Sequence, residues 1–510
     1  MKKSKIDKSK KMKRFNYILF VILLSFAVQS CSEFLTEDLK GVYSSTTFFT
    51  QPEHAILGIN SAYNCLLSTQ SGNKPWIFGD VASDDAASGN AGDFPSVDNI
   101  DNFIFHADNG TLFPYWELYY EGVTRCNRVL ENVPDIKMNE NSKNVILGEA
   151  HFLRAWFYFN LTCVFGDIPL ITEIKPPSEL NLPKTSKEDI LAFVASECET
   201  ATGLLPEKHV TAEVGRATKG AAYALWAKAL LFMEEWELAA EKGLEVTKLG
   251  YDLMPNYKDN FDLAYENNVE SIFEIQQQGE TASPTGNAYG QWFAPREGGI
   301  GGYAFNTPTQ DFVDAFERNG DYVDYRLNVT VVQDQEPWGD TVFSANWSAT
   351  GYVNKKYNVE FSSIKQDETN GPRLFVSDTD LNFTPIRYAD ILLIIAEALN
   401  EDNRTAEAVD YINLVRERAR NSHPQVDELP AEFLAPLSGA ISKNALRDAI
   451  RHERRVELGF EFHRYFDIIR YGQSYANQVF NDFENFDYET HKYFPIPQNE
   501  LDINPLLNDN

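Results

Sequence analysis

The sequence predicts a mainly α-helical fold, a scaffold of paired helices from which long loops project, and three observations point to it. Extended stretches place apolar residues at helical spacing. Two of these stretches share one alanine-rich helix–turn–helix layout. The Gly-, Asn- and Asp-rich segments between them carry too many aromatics to be disordered.

The clearest helix is GEAHFLRAWFYFNLTCVF, 148–165, stopped by Gly166 and Pro169. SKEDILAFVASECETATGLL follows, with Ser186 placed to cap its first turn. The stretch RATKGAAYALWAKALLFMEEWELAAEKGLEVTKLG predicts two helices with a break near Glu234 to Trp236, and its small residues permit close antiparallel packing. Residues 386–420 repeat the layout, with Ala227-Lys228-Ala229-Leu230 and Ala396-Glu397-Ala398-Leu399 at equivalent places before each turn. The pattern resembles tetratricopeptide helix pairs.

The charged stretch 451–472, RHERRVELGFEFHRYFDIIRYG, reads as one helix with Arg454, Glu457, Glu461 and Arg464 on a single stripe. Glu457 and Glu461 have the spacing of a glycosidase carboxylate pair. That chemistry needs one carboxyl kept protonated, whereas flanking arginines favour the ionised form. The stretch is therefore expected to be an ion-pair strut.

At the N-terminus a basic segment, 1–14, precedes the apolar run YILFVILLSFAV, which has the length of a signal-peptide core and is too short to span a membrane. VQSC follows and resembles a bacterial lipobox, so residues 1–30 are expected to be a lipoprotein signal and Cys31 the lipidated residue. With eight basic and one acidic residue in that segment, the rest of the chain has a net charge near −37, which argues against nucleic-acid binding. Cys65, Cys126, Cys163 and Cys198 form no CxxC pair, and Cys126 and Cys163 are expected to be buried free thiols. Scattered histidines predict no metal site, and no cofactor fingerprint or GxSxG motif is present.

Four blocks in order, GEAHFLRAWFYFNLTCVFGDIPL, IRYADILLIIAEALN, RRVELGFEFHRYFDIIRYG and the terminal KYFPIPQNELDINPLLNDN, resemble the SusD/RagB family of surface lipoproteins. The resemblance spans 31–510 and implies a single SusD-like domain, with an N-terminal part 31–236 and a C-terminal part 237–510. It implies a lipid-anchored outer-membrane protein that binds an oligosaccharide and delivers it to a SusC-like TonB-dependent transporter. A peptide-binding subunit of such a transporter is the alternative, and a surface glycoside hydrolase a remote one.

For the ligand site, sugar C–H patches pack on aromatic faces and hydroxyls want planar polar partners, so loop aromatics beside such groups are the candidates. In the Gly-rich loop these are Tyr289, Trp292, Phe293, Arg296 and Tyr303, with Gln291. In the earlier loop they are Trp76, Asp84, Asp85 and Asn90. Trp338 and Trp347 rank below them.

Overall fold

A computed structural model of the chain describes residues 48–67, 73–279, 285–297, 302–338, 341–357 and 379–508. The signal segment and Cys31 lie outside the described residues. From Gln51 onward the chain forms one contact unit. Its first half is a series of helices, Pro52–Asn64, Leu112–Asn132, Glu140–Phe165, Lys187–Leu204, Lys219–Phe232 and Trp236–Val246. Its second half adds Tyr388–Glu401, Thr405–Asn421, Lys443–Glu457 and Arg464–Arg470.

Local chemistry sets the ends of these helices. The side chains of Asn139, Ser186, Thr218 and Ser442 each accept a hydrogen bond from a backbone N–H three residues on, supplying a partner the first turn lacks. Gly166, at φ 69°, ends the long aromatic helix where the sequence places its stop. The two helix hairpins turn at left-handed residues, Glu234 (φ 58°) and Asn403 (φ 64°), so the predicted break near Glu234 is present.

Small residues then decide how closely the helices approach. A Cβ added to Gly243 would lie 2.5 Å from Ile395, which joins the two predicted hairpins face to face. Another at Gly122 would meet the Phe157 ring at 2.5 Å. Such approach excludes any larger side chain from a close-packed interior. Tyr388 to Asn400 are buried at every position, so this helix is the centre of the scaffold. Cys126 and Cys163 are buried free thiols as expected, Cys65 and Cys198 are likewise, and burial pushes Cys65 and Cys163 up to about 12.

The charged stretch departs from the predicted continuous helix. The helix stops at Glu457, and Phe460 (φ 62°) and Phe462 (φ 70°) are left-handed before it resumes at Arg464. Cations take over the freed carbonyls: Arg387 donates to the Glu457 carbonyl at 2.7 Å and Lys356 to that of Gly459 at 2.7 Å. The expected strut is nonetheless there, with partners from distant segments. Glu457 accepts from Arg387 (2.6 Å), Arg326 (2.9 Å) and Arg418, and Glu461 from Arg387 (2.7 Å) and Lys356 (2.8 Å). Arg454 spans Asp390 (2.8 Å) and Asp467 (3.1 Å).

Burial alone would raise these carboxylates, and the surrounding guanidinium and ammonium charges more than reverse it. Glu457 and Asp390 are held well below the usual range, Glu461 is lowered by Arg387 and Lys356, and Asp467 is held at about 2. A depressed folded-state pKa contributes stability above the unfolded value, about 4, and loses it as pH falls through the folded one. Asp80 and Glu149 behave oppositely, because burial pushes them up to about 8 and about 7. Their stabilisation is complete below about pH 4 and is lost as pH rises through those values. Melting temperature should therefore peak between about pH 4 and 6, falling on both sides up to about pH 8, as scanning fluorimetry over pH 2 to 8 would show. An Asp80→Asn variant should have a shallower decline on the alkaline side.

Candidate functional site

The two aromatic loops, some two hundred positions apart in sequence, are joined by a two-residue antiparallel ladder: Ala86 pairs with Pro308 and Ala87 with Thr307. Asp85 and Asp84 extend the join through their carbonyls, which accept from the Thr309 N–H (2.9 Å) and hydroxyl (2.7 Å). The Gly-rich loop contains a short helix, Tyr289–Phe293, against which the chain folds back. Tyr303, Ala304 and Phe305 donate their N–H groups to the carbonyls of Gln291 (2.9 Å), Ala294 (2.8 Å) and Trp292 (2.8 Å). Gly302 is required there because a Cβ would lie 2.1 Å from the Ala294 carbonyl oxygen. Gly298, Gly299 and Gly301 lie outside the described residues.

These contacts build a layered aromatic platform. Trp292 and Tyr303 have ring centroids 5.1 Å apart, Tyr303 stacks on Phe305 at 5.9 Å with planes 12° apart, and Phe94 stacks toward Trp292 at 6.4 Å and 24°. Trp76 forms the floor, 6.2 Å from Phe305 and nearly parallel to it. Tyr303 is 38% exposed, Trp292 and Phe94 are half-buried, and Phe305 and Trp76 are buried. Two cations edge the platform: the Lys74 ammonium lies 5.3 Å above the Trp292 ring, and Arg296 pairs with Asp93 at 3.0 Å. Asn90 is half-buried in the adjoining turn, its carbonyl accepting from the Asp93 N–H at 3.1 Å. Gln291 is half-buried at the start of the fold-back.

Of the residues expected to touch ligand, the geometry brings Trp292 and Tyr303 together on an accessible face, with Arg296 at its edge through Asp93 beside Phe94, and Asn90 in the adjoining turn. Tyr289, Phe293 and Trp76 are corrected to supports, since each is fully buried. Tyr289 and Phe293 lie one helical turn apart on the inward face, where Tyr289 meets Phe462 at 5.3 Å and Phe293 meets Trp76 at 5.6 Å. Asp84 and Asp85 are likewise corrected, because both carboxylates are buried and paired with arginines. Arg464 grips Asp84 with two bonds of 2.8 Å, and Arg455 holds Asp85 at 2.7 Å. Burial pushes Asp85 up to about 6, while for Asp84 the charges of Arg464 and Arg455 overcome burial and lower it. Trp338 is buried with Val332, Phe343 and Val353, and Trp347 packs against that cluster.

Sequence reasoning missed Phe94, Phe305, Lys74 and Asp93. Phe94 and Asp93 lie in the loop already singled out for its aromatics and acids, and Phe305 lies two residues beyond Tyr303 in the Gly-rich loop. Strain marks the same spot. Ala304 (φ 56°) and Asn306 (φ 52°) flank Phe305 in the left-handed region, and the Asn306 side chain is tied to buried Asp80 at 3.0 Å.

Such a surface stacks flat ligands and offers charged hydrogen-bond partners at its rim. Glu457 and Glu461 cannot act as an acid pair, being buried in the strut and held ionised. Among the described residues Glu317, His452 and Glu453 approach one another closely enough for a shared ion. Arg416 binds Glu317 at 2.7 Å and Arg326 binds Glu453 at 2.5 Å, so these carboxylates already serve guanidinium groups.

Comparison with known proteins bears on what such a surface is for. A family model described as the SusD family matches residues 269–510, and one described as starch-binding associating with outer membrane matches residues 42–231. The SusD-like protein P2 of Formosa agariphila is 28% identical over 97% of this chain and 99% of its own. A SusD-like protein of Bacteroides ovatus is 26% identical over 92% of this chain and 84% of its own. Among solved structures, a laminarin binding SusD-like protein superposes with a TM-score of 0.75 at 26% identity, covering 89% of this chain and 98% of that one. A SusD superfamily protein from Bacteroides vulgatus gives 0.75 at 27% identity, with coverages of 91% and 99%.

Proposed function

The chain belongs to the SusD/RagB family, and on that premise we propose that it captures an oligosaccharide at the outer membrane and hands it to a SusC-like TonB-dependent transporter. The observation that carries the binding role is the platform of Trp292, Tyr303 and Phe94, open to solvent and backed by buried rings. Sugar rings present C–H faces that pack on such rings, and the Arg296–Asp93 pair and Asn90 supply partners for hydroxyls at its edge. The laminarin-binding neighbour supports the same ligand class. Strong net acidity suits a water-facing body held by a lipid rather than by a basic membrane patch.

Incubating the purified protein with a panel of oligosaccharides tests this reading. Saturable binding without turnover is expected; release of shorter sugars would make it an enzyme, and binding only of peptides would move it to peptide uptake. Lipid anchoring is tested separately through VQSC. In cells, Cys31→Ala should abolish labelling by palmitate and release the protein from the membrane fraction, and retention of both would refute the anchor.

A further inference from the structure

We propose that the protein has a second ligand site, remote in sequence from the platform, that takes a neutral carbohydrate of one or two rings. It is a cleft of about 380 Å³ between the connection after Leu205, the turn Leu249–Tyr251 and the segment Asn267–Glu274. That volume lies within the range of small-molecule sites, about 300–1,000 Å³, and well above the ~150 Å³ that accommodates benzene. No residue of the aromatic platform lines it.

The rim is shaped by backbone that ordinary residues avoid. Gly215 (φ 88°), Gly250 (φ 80°) and Asn267 (φ 55°) are all left-handed. A Cβ on Gly215 would strike the Gln276 side chain at 2.2 Å, so only glycine keeps this wall in place. Asn267 is held in its conformation by its N–H, which donates to the buried Glu274 carboxylate at 2.9 Å, and by a reciprocal amide pair with Gln276 at 2.9 and 3.0 Å. Gly215 and Asn267, both held against Gln276, give this wall of the opening a fixed shape and describe a preformed recess.

Its free polar groups identify the ligand. The Asn268 carbonyl oxygen is spent on the N–H groups of Glu270 (2.8 Å) and Ser271 (3.2 Å), leaving its NH₂ without a partner among the described residues. His209 donates from Nε2 to the Ala217 carbonyl at 2.8 Å, which leaves Nδ1 as a bare acceptor. Lys208 adds an ammonium and Ser271 a hydroxyl, and Tyr251, its own hydroxyl engaged with Thr218 at 3.0 Å, adds a ring face. Donors and acceptors thus stand side by side. An anion would use only the donors and an apolar ligand neither, whereas each sugar hydroxyl is donor and acceptor at once. Charge in the lining is balanced, Lys208 and Arg216 against Glu207 and Glu274, so a net-charged ligand gains little.

Maltose and laminaribiose at millimolar concentration are the probes, read by saturation-transfer NMR and by crystal soaking. The protein is compared with Trp292→Ala, which disables the platform, and with Val214→Trp, which fills the cleft from a residue 48% exposed and therefore spares the fold. Binding of at least one probe should persist in Trp292→Ala, with density in the cleft, and weaken at least tenfold when Val214→Trp is added. Lys208→Ala should weaken it as well. Binding abolished by Trp292→Ala alone would overturn the second site while sustaining the platform. Binding indifferent to Val214→Trp, or no binding of either disaccharide to the Trp292→Ala protein, would overturn it equally.

Discussion

Replacing Arg387 by Met should lower the free energy of unfolding by about 3 to 5 kcal/mol, the cost of leaving buried charge uncompensated. All five N–H donors of this guanidinium are used. Nε and one terminal nitrogen clamp Glu461 at 2.7 and 2.9 Å, the other terminal nitrogen reaches Glu457 at 2.6 Å and Glu270 at 2.7 Å, and the fifth bond goes to the Glu457 carbonyl. Three carboxylates and one helix-terminal carbonyl thus depend on one side chain, which is 2% exposed. Arg387→Lys retains the charge but loses the fork and should fall between the two. Denaturant titration followed by circular dichroism measures the effect. A loss below about 1 kcal/mol would mean the pairs behave like exposed ones. Glu461→Gln, milder because Lys356 and Arg387 keep a polar partner, should lower stability and leave oligosaccharide affinity of the folded protein unchanged. Lost affinity at unchanged stability would return this segment to the binding machinery.

Trp292→Ala should weaken oligosaccharide binding at least tenfold, about 1.4 kcal/mol, with the helical scaffold intact. Binding energy concentrates in a few large aromatic anchors, and Trp292 touches every other ring of the platform: Tyr303, Phe305, Phe94 and Trp76 lie between 5.1 and 6.4 Å from it. Being half-buried, it leaves no large cavity when truncated. Phe293 and Tyr289 provide the contrast. Both are fully buried, so Phe293→Ala should cost stability on the order of 3 to 5 kcal/mol and affect binding only through the fold. Calorimetry beside circular dichroism separates the two outcomes. Wild-type affinity in both Trp292→Ala and Tyr303→Ala would remove the platform as the ligand site.

The sequence by itself determined the helices, since the period of apolar residues, a capping serine and a stopping glycine act within a few positions of one another. The expectation that Glu457 and Glu461 stay ionised rests on arginines in the same stretch, yet Arg454 turns to Asp390 and Asp467 and Arg464 to Asp84, and other cations hold the glutamates. Which arginines clamp them was not visible. Arg326, Arg387 and Arg418 arrive from other segments to the Glu457 carboxylate, and Arg387 and Lys356 cap the Glu457 and Gly459 carbonyls at a helix break that the local pattern does not announce. The loop aromatics show the same division. Their types and clustering marked the loops that build the platform, but Tyr289, Trp292 and Phe293 are alike in composition and close in sequence. Only the short helix, the fold-back onto it and the ladder joining Ala86–Ala87 to Thr307–Pro308 decide that Trp292 faces water while its neighbours fill the core. Burial belongs to the arrangement of segments distant along the chain, and side-chain chemistry alone carries no record of it.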